Sequence, residues 1–231
     1  MTPINDLGQP VGEPLGVTLP RPLPPLSPMT GTHVTVRPLD IARDRGALFD
    51  AFARDTDGRN WTYLPYGPFL TESDFGAWLD RSCTGHDPLF HTITDRDGRA
   101  VGLASYLRID PANGVIEVGH IHLSPLLQRT PGSTEAMFLM MAQVFDDLGY
   151  RRYEWKCDAL NGPSRATAER LGFTYEGTFR QATHYKGRNR DTAWYALIDS
   201  DWHAQRDRFL RWLEPANFHP DGRQRRALSA M

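Results

Sequence analysis

Between Val115 and Ser164 the chain places one carboxylate, two imidazoles and a serine hydroxyl where proton transfer beside an anion-binding turn becomes feasible. Alternation along Val115-Ile-Glu-Val-Gly-His-Ile-His-Leu123 predicts a strand, with Val118, His120 and His122 on one face and Glu117, Gly119, Ile121 and Leu123 on the other. Carboxylates and neutral imidazoles accept protons, and an unperturbed imidazole titrates near about 6.5, so Glu117, His120 and His122 are candidate bases. Two histidines one residue apart are also a fragment of a metal site, but no third ligand stands nearby and no metal is expected. Ser164 offers a hydroxyl to a leaving group. Asn161 and Ser164 equally suit a helix start, where both residue types satisfy free N–H groups without any catalysis.

The turn Gln128-Arg-Thr-Pro-Gly-Ser-Thr-Glu135 leads into a predicted helix from Ala136 to Leu148, where Met137, Met140, Met141, Val144, Phe145 and Leu148 share one face and Gly149 is the stop. A helix that starts behind a turn presents unpaired N–H groups and the positive end of its dipole, which suit a pyrophosphate. Arg129 adds a charge-assisted contact. Read in isolation, Gly132 and Thr134 equally begin an ordinary helix. Downstream, Tyr150 to Cys157 alternates aromatic and basic residues as a strand, and Asn161-Gly-Pro-Ser164 opens a short helix that ends at Leu171-Gly-Phe173.

The words Thr134-Glu-Ala136, Asn161-x-x-Ser164, Arg170-Leu-Gly-Phe173 and Tyr175-Glu-Gly177 stand in an order that resembles the GCN5-related N-acetyltransferases (GNAT), in particular the RimJ/RimL-like branch that acetylates amino termini of ribosomal proteins. The resemblance covers roughly residues 33 to 200. It implies an α/β (α+β) fold with a central, mixed but mostly antiparallel sheet of about seven strands, splayed between strands four and five, and helices on both faces. It implies acetyl-coenzyme A as cofactor, its pantetheine arm in the split and paired with the backbone of Ile121, His122 and Leu123. Gln128, Arg129, Thr130, Gly132, Ser133 and Thr134 would then surround the pyrophosphate, with Asn161 and Ser164 along the arm. The chain departs from the family turn in one respect: Thr134 stands where Gly or Ala is usual, and Pro131 lacks an N–H, leaving Gln128 and Arg129 to compensate.

By the same resemblance Glu117 is the first candidate for the base that frees the attacking amine, with His120 or His122 as substitutes, and Ser164 is the acid for the departing thiolate. The alternative for Glu117 is a structural carboxylate paired with an arginine. Tyr175 and Tyr185 are weaker substitutes for Ser164, and Cys157 is read as a buried structural cysteine, since direct transfer needs no covalent intermediate. Trp61, Tyr63, Tyr66 and Phe69 crowd one loop and would wall the acceptor pocket, or else plug a gap between helices. The cations of Tyr185-Lys-Gly-Arg-Asn-Arg-Asp191 lie in a hairpin loop.

The remaining composition sets bounds. A chain of 231 residues, 40% hydrophobic, fits one domain with extensions. We read a proline-rich arm over residues 1–32, the acetyltransferase domain over 33–200 and a C-terminal helix and tail over 201–231. Eight of the 18 prolines precede residue 30, and Leu15, Val17, Leu19, Leu23 and Leu26 favour an arm that wraps the domain. A net charge of −2 gives no global attraction to nucleic acid, two distant cysteines fit a reducing compartment, and no apolar run reaches membrane-spanning length, so a cytoplasmic location is expected. The expected partners are acetyl-coenzyme A and an amine-bearing acceptor, a peptide N-terminus or small molecule; a homodimer stays open. The rival reading is a non-catalytic acyl-coenzyme A binding module of the same fold.

Overall fold

A computed structural model describes residues 2–231. Its strands are β1 (Met29–Thr30), β2 (Thr35–Pro38), β3 (Leu89–Thr94), β4 (Ala100–Asp110), β5 (Val115–Leu123), β6 (Arg152–Asp158), β7 (Thr174–Tyr185) and β8 (Arg188–Ile198). They form one sheet in the order β1-β2-β3-β4-β5-β6-β8-β7. Every neighbouring pair is antiparallel except β5 and β6. The two-residue β1, too short to leave a period in the sequence, raises the strand count to eight and makes the expected fourth and fifth strands β5 and β6.

Helices α1 (Ile41–Phe52) and α2 (Glu72–Ser82) cover one face, closing a core around Leu48, Phe52, Phe75, Trp78, Phe90 and Leu103. Helices α3 (Pro131–Ala142) and α5 (Asp199–Leu213) cover the other, over Tyr106, Ile116, Val118, Met140, Tyr153 and Phe209, while α4 (Gly162–Arg170) links β6 to β7. Three starts are set by their side chains: Asp40 accepts from the N–H of Arg43, Thr71 from that of Asp74 and Asn161 from that of Ser164. No helix among the described residues is long and apolar enough to cross a membrane.

Three expectations need correction. Helix α3 begins at Pro131, five residues before Ala136, because a proline at the first helical position gives up only a donor that would have been unpaired anyway. It then passes into a π-helical turn over Gln143–Asp147, with the Leu148 N–H reaching Gln143 O at 3.0 Å; Met137, Met140, Met141, Val144, Phe145 and Leu148 are all buried nonetheless. The hairpin after β7 turns on Lys186 and Gly187 alone, both left-handed (φ 49° and 71°), so Arg188, Asn189 and Arg190 lie in β8.

The N-terminal arm lies against the domain through some of its apolar residues and through polar contacts: Val17 and Leu19 are half-buried, Leu19 beside Gly114. Leu15, Leu23 and Leu26 are exposed. Polar contact is made by Arg21, whose Nε donates to Leu148 O at 2.8 Å, and by Pro22 O, which accepts from the Tyr150 hydroxyl at 3.0 Å. Where the arm enters β2, the buried Glu135 carboxylate on α3 accepts from the N–H groups of Thr32, His33 and Val34 at 2.8, 2.6 and 2.9 Å. Those donors have no strand partner, so the carboxylate replaces a ladder. Glu135→Gln keeps the shape but offers only one oxygen, and we expect it to cost about 1–3 kcal/mol in urea unfolding. An unchanged midpoint would show that the carboxylate does not carry this junction.

Candidate active site

The site begins where two strands part. Residues Val115 to Val118 of β5 pair in parallel with Arg152 to Trp155 of β6, and the ladder stops there. Past Val118, the edge of β5 that faces β6 has no strand partner. In the same place β5 carries a bulge against β4: Leu103 pairs with His122 and Ser105 with Gly119, and His120 sits at φ 50°. The extra residue reverses the alternation. Ile116 and Val118 face the α3 core and so do Ile121 and Leu123, whereas Glu117, His120 and His122 all turn to the α1 and α2 side. The expected faces are therefore corrected: Val118 lies opposite both histidines, and Glu117 shares their side. At Gly119, beside the bulge, a Cβ would come within 2.9 Å of Leu107 Cδ2, so that side chain would have to shift.

A cavity of about 1280 Å³ opens along the split. Its walls include Ile121, His122 and Leu123 from β5, Gln128, Arg129, Thr130, Ser133 and Thr134 from the turn and first turn of α3, Trp155 from β6, and Asn161, Ser164, Thr167 and Arg170 from α4. Gly132 is the one residue of the expected cradle that is absent from the walls. It is buried under β2, where a Cβ would meet Val34 Cγ1 at 2.8 Å, so packing demands the glycine. Unlike α1, α2 and α4, α3 has no side-chain cap: the Thr130 hydroxyl donates to Leu127 O at 2.7 Å and that of Ser133 to Thr130 O at 2.7 Å. The positive end of its dipole thus stays available to an anion. Gln128 donates one amide N–H to Leu123 O at 2.8 Å and keeps the other. Arg129 is exposed, at φ 60°. At the other end Ser164 Oγ accepts from Trp155 Nε1 at 3.0 Å, which keeps the hydroxyl proton for another acceptor. Cys157 beside it is buried, and burial pushes its thiol up against the opposing effect of Ser164.

Apart from His122, the acceptor-side groups lie off this cavity. Glu117 is buried and holds two cations: both its oxygens lie 2.8 Å from Arg108 Nη1, and Oε2 lies 2.8 Å from Lys156 Nζ. Lys156 is shared with Glu154 at 2.7 Å and sits 3.8 Å above the Trp194 ring. Tyr66 Oη lies 3.0 Å from His120 Nδ1, and burial holds the Tyr66 phenol well above its ordinary range. Burial, aided by Arg108 and Arg190, pulls His120 down to about 4; burial alone pulls His122 down to about 3. Both are neutral at pH 7, which corrects the expectation of imidazoles poised near neutrality. His122 stacks on Phe52 at 4.0 Å and meets Trp61 edge-on at 3.9 Å, with neither ring nitrogen hydrogen-bonded. Of the aromatic loop, Trp61 and Phe69 pack into the α2 core, Tyr63 donates to Leu160 O at 3.1 Å, and Tyr66 is hydrogen-bonded to a titratable group, His120. Lys186 on the β7–β8 turn donates to Trp61 O at 2.7 Å, so this cation is spent on the loop. Tyr185 is likewise held, donating to Asp158 at 2.7 Å, and Tyr175 is exposed.

The domain family described as "Acetyltransferase (GNAT) domain" matches residues 33–174, more than half of the chain. The chain belongs to this GNAT family. A GCN5-related N-acetyltransferase from Brucella melitensis is similar at 45% identity and TM-score 0.90, covering 93% of this chain and 98% of that one. A GNAT-family structure from Chromobacterium violaceum is similar at 39% identity and TM-score 0.78, covering 84% and 98%. The Bacillus subtilis protein named "Putative ribosomal N-acetyltransferase YdaF" is 26% identical over 110 residues, which are 48% of this chain; the match spans 60% of that relative's length.

The cavity also uses residues to which the sequence assigned no site role, Arg170 among them although it opens one of the GNAT words. Thr167 and Arg170 follow Ser164 at helical spacing, a signal visible in α4 once its wall-facing side is fixed by Ser164. Residues 221–224 and 227–229 of the tail had no such signal.

Two outcomes follow from the charges. Glu117 and Glu154 are directly paired across β5 and β6, so Lys156→Met leaves two buried carboxylates facing each other and should cost about 3–5 kcal/mol in urea unfolding. A midpoint within experimental error of the parent would show that Lys156 is not what holds them. For pH, His122 falls from about 6.5 unfolded to about 3 folded, so the unfolded chain binds the extra proton between those values and stability drops as pH falls through that window. His122→Phe should remove about one proton from the pH dependence of unfolding free energy between pH ~6 and ~4. An unaltered slope would place the acid sensitivity elsewhere.

Proposed function

We propose that this protein transfers the acetyl group of acetyl-coenzyme A directly to a primary amine, on a protein N-terminus or a small molecule. The observation that carries the reading is a single cavity joining the uncapped start of α3 to the unpaired edge of β5 and to Ser164. Phosphates suit the first, the pantetheine amides suit the second as an added strand, and the thiol leaving group suits the third. The residues present therefore fit this cosubstrate. The domain so used is residues 33–200, with the arm and the C-terminal segment as extensions.

Ser164 is the proposed proton donor to the thiolate, because the Trp155 indole occupies a lone pair of its oxygen and leaves its O–H free. Glu117 is the proposed proton acceptor, through water, since direct approach is crowded by Arg108 and Lys156; the same cations fix its position. An α-amino group with a pKa near about 8 needs little more than that, whereas a lysine-like amine near about 10.4 needs stronger assistance. This favours an N-terminal amine as acceptor, in keeping with the ribosomal assignment in the name of the Bacillus relative. His120, neutral and held beside Tyr66, positions the acceptor. Tyr66 and Tyr63 are the proposed acceptor wall, with Trp61 and Phe69 backing them.

Calorimetric titration with acetyl-coenzyme A, followed by thiol release against N-terminal peptides and small amines, checks each step. Glu117→Gln and Ser164→Ala should bind the cosubstrate as the parent does and lose about 100-fold or more in transfer, and His120→Phe should raise KM for the acceptor. Undiminished transfer in all three variants would remove these assignments. Binding with no thiol release on any acceptor would point to the non-catalytic module, and absent binding would overturn the reading.

A further inference from the structure

Two half-buried guanidinium groups in this protein meet carboxylates: Arg37 meets Asp44 at 2.6 Å, and Arg152 meets Glu154 at 2.6 Å and Glu176 at 2.8 Å. Arg170 and Arg208, next to each other, do not. Arg170 on α4 donates through Nη2 to Thr134 Oγ1 at 3.1 Å, and Arg208 on α5 donates through Nη2 to Arg170 O at 3.1 Å. Neither has an acidic partner among the described residues, and Arg208 Nε is buried with no acceptor. Burial pulls both guanidinium groups below their ordinary range, and the charge of Arg208 adds to the effect on Arg170. Two neighbouring cations removed from water without a counter-charge destabilise the fold unless something else supplies the negative charge. Arg170 lines the cavity within hydrogen-bonding distance of Thr134, in the first turn of α3.

The C-terminal tail supplies another wall of the same cavity and is built rather than loose. Leu228 is 1% exposed in the α3 core. Asn217 donates to Trp212 O at 2.9 Å and accepts from the Arg226 N–H at 3.0 Å, and Gln224 Oε1 accepts from Trp212 Nε1 at 2.9 Å. With that oxygen used, the Gln224 amide retains its two N–H donors. The one acid on this wall, Asp221, is neutralised by Arg223, at 2.8 Å from its side chain and 3.0 Å from its N–H. All of this lies beyond the residues 33–174 that match the family.

Resting on the acetyl-coenzyme A reading, we propose that α5 and the tail complete the anion end of the cavity: Arg170, steadied by Thr134 and backed by Arg208, takes a phosphate of the ligand, and the tail closes over it with Gln224 donating. The place of the small residue usual at position 134 is thus taken by a hydroxyl that aims a guanidinium. The phosphate is either in the pyrophosphate or on the ribose, and the ligands of the test separate the two.

Arg170→Gln and Gln224→Glu are compared with the parent by calorimetry against acetyl-coenzyme A, 3′-dephospho-coenzyme A and 4′-phosphopantetheine. Arg170→Gln keeps a donor for Thr134 and removes the charge; Gln224→Glu keeps the acceptor for Trp212 and adds an opposing charge to the wall. We expect each to weaken acetyl-coenzyme A about tenfold or more, with a shallower dependence on salt for Arg170→Gln. A loss that vanishes against the dephospho ligand assigns the ribose phosphate, and one that persists there assigns the pyrophosphate. The unliganded Arg170→Gln protein should melt at or above the parent temperature, where a purely structural arginine would melt lower. Affinities within twofold of the parent for both variants overturn this proposal while leaving the cosubstrate reading intact, and a parent that binds none of the three ligands sinks both.

Discussion

The parting of β5 from β6 after Val118 and Trp155 is the constraint on which the rest of the site depends. While two parallel strands stay paired their backbone groups satisfy each other, and neither can accept an added partner. Once they diverge, the exposed edge must be covered by something else. The bulge at His120 shifts the side chains of β5 by one position at the same point, so Ile121 and Leu123 pack toward α3 while His120 and His122 face the aromatic loop. Trp155, the last paired residue of β6, reaches Ser164 through its indole and fixes α4 against the opening. One local break thus positions an edge, a hydroxyl and two imidazoles.

A charged cluster holds the break where it is. Glu117 and Glu154 would repel each other as direct neighbours, and Lys156, just beyond the last paired residue, draws both carboxylates to one ammonium. Arg152 carries the chain on to Glu176 at the start of β7. Such pairs contribute little net stability compared with apolar packing, but removing one member is costly, so they act chiefly on geometry. The ammonium over Trp194 extends the same cluster to β8. Paired charge is therefore concentrated where β5, β6 and β8 meet.

Much of the fold was legible because hydrophobic period and punctuation agreed. Asn161 reads as a helix start in the sequence and accepts the capping N–H in the structure, as Asp40 and Thr71 also do. The errors arose where a local rule yielded to a neighbour. Alternation assigned the wrong face to the histidines because a bulge, which adds one residue without changing composition, is invisible to a period of two. Proline at 131 read as part of a turn although it occupies the first position of α3. Of Leu15, Val17, Leu19, Leu23 and Leu26 in the arm only Val17 and Leu19 are half-buried, and Arg21 and the carboxylate of Glu135 add polar contacts, because extended backbone also binds through its polar groups. Depressed imidazoles could not be foreseen either, since burial by Phe52, Trp61 and Phe90 comes from distant segments.

The start of α3 shows how a family pattern can be departed from without loss of its physics. Glycine at 132 answers to Val34 behind the helix, so its presence says nothing of a ligand in front. The hydroxyls of Thr130 and Ser133, which elsewhere would cap the helix, turn back to carbonyls of the same loop. What remains facing the cavity is the dipole itself, and the dipole is a property of twelve helical residues and not of any one side chain. A threonine in place of a smaller residue then leaves the helix field unaltered and adds an oxygen that a guanidinium from α4 can find. Pattern-matching on small residues reads position 134 as a defect, whereas hydrogen bonding makes it the link between two elements that both border the cavity.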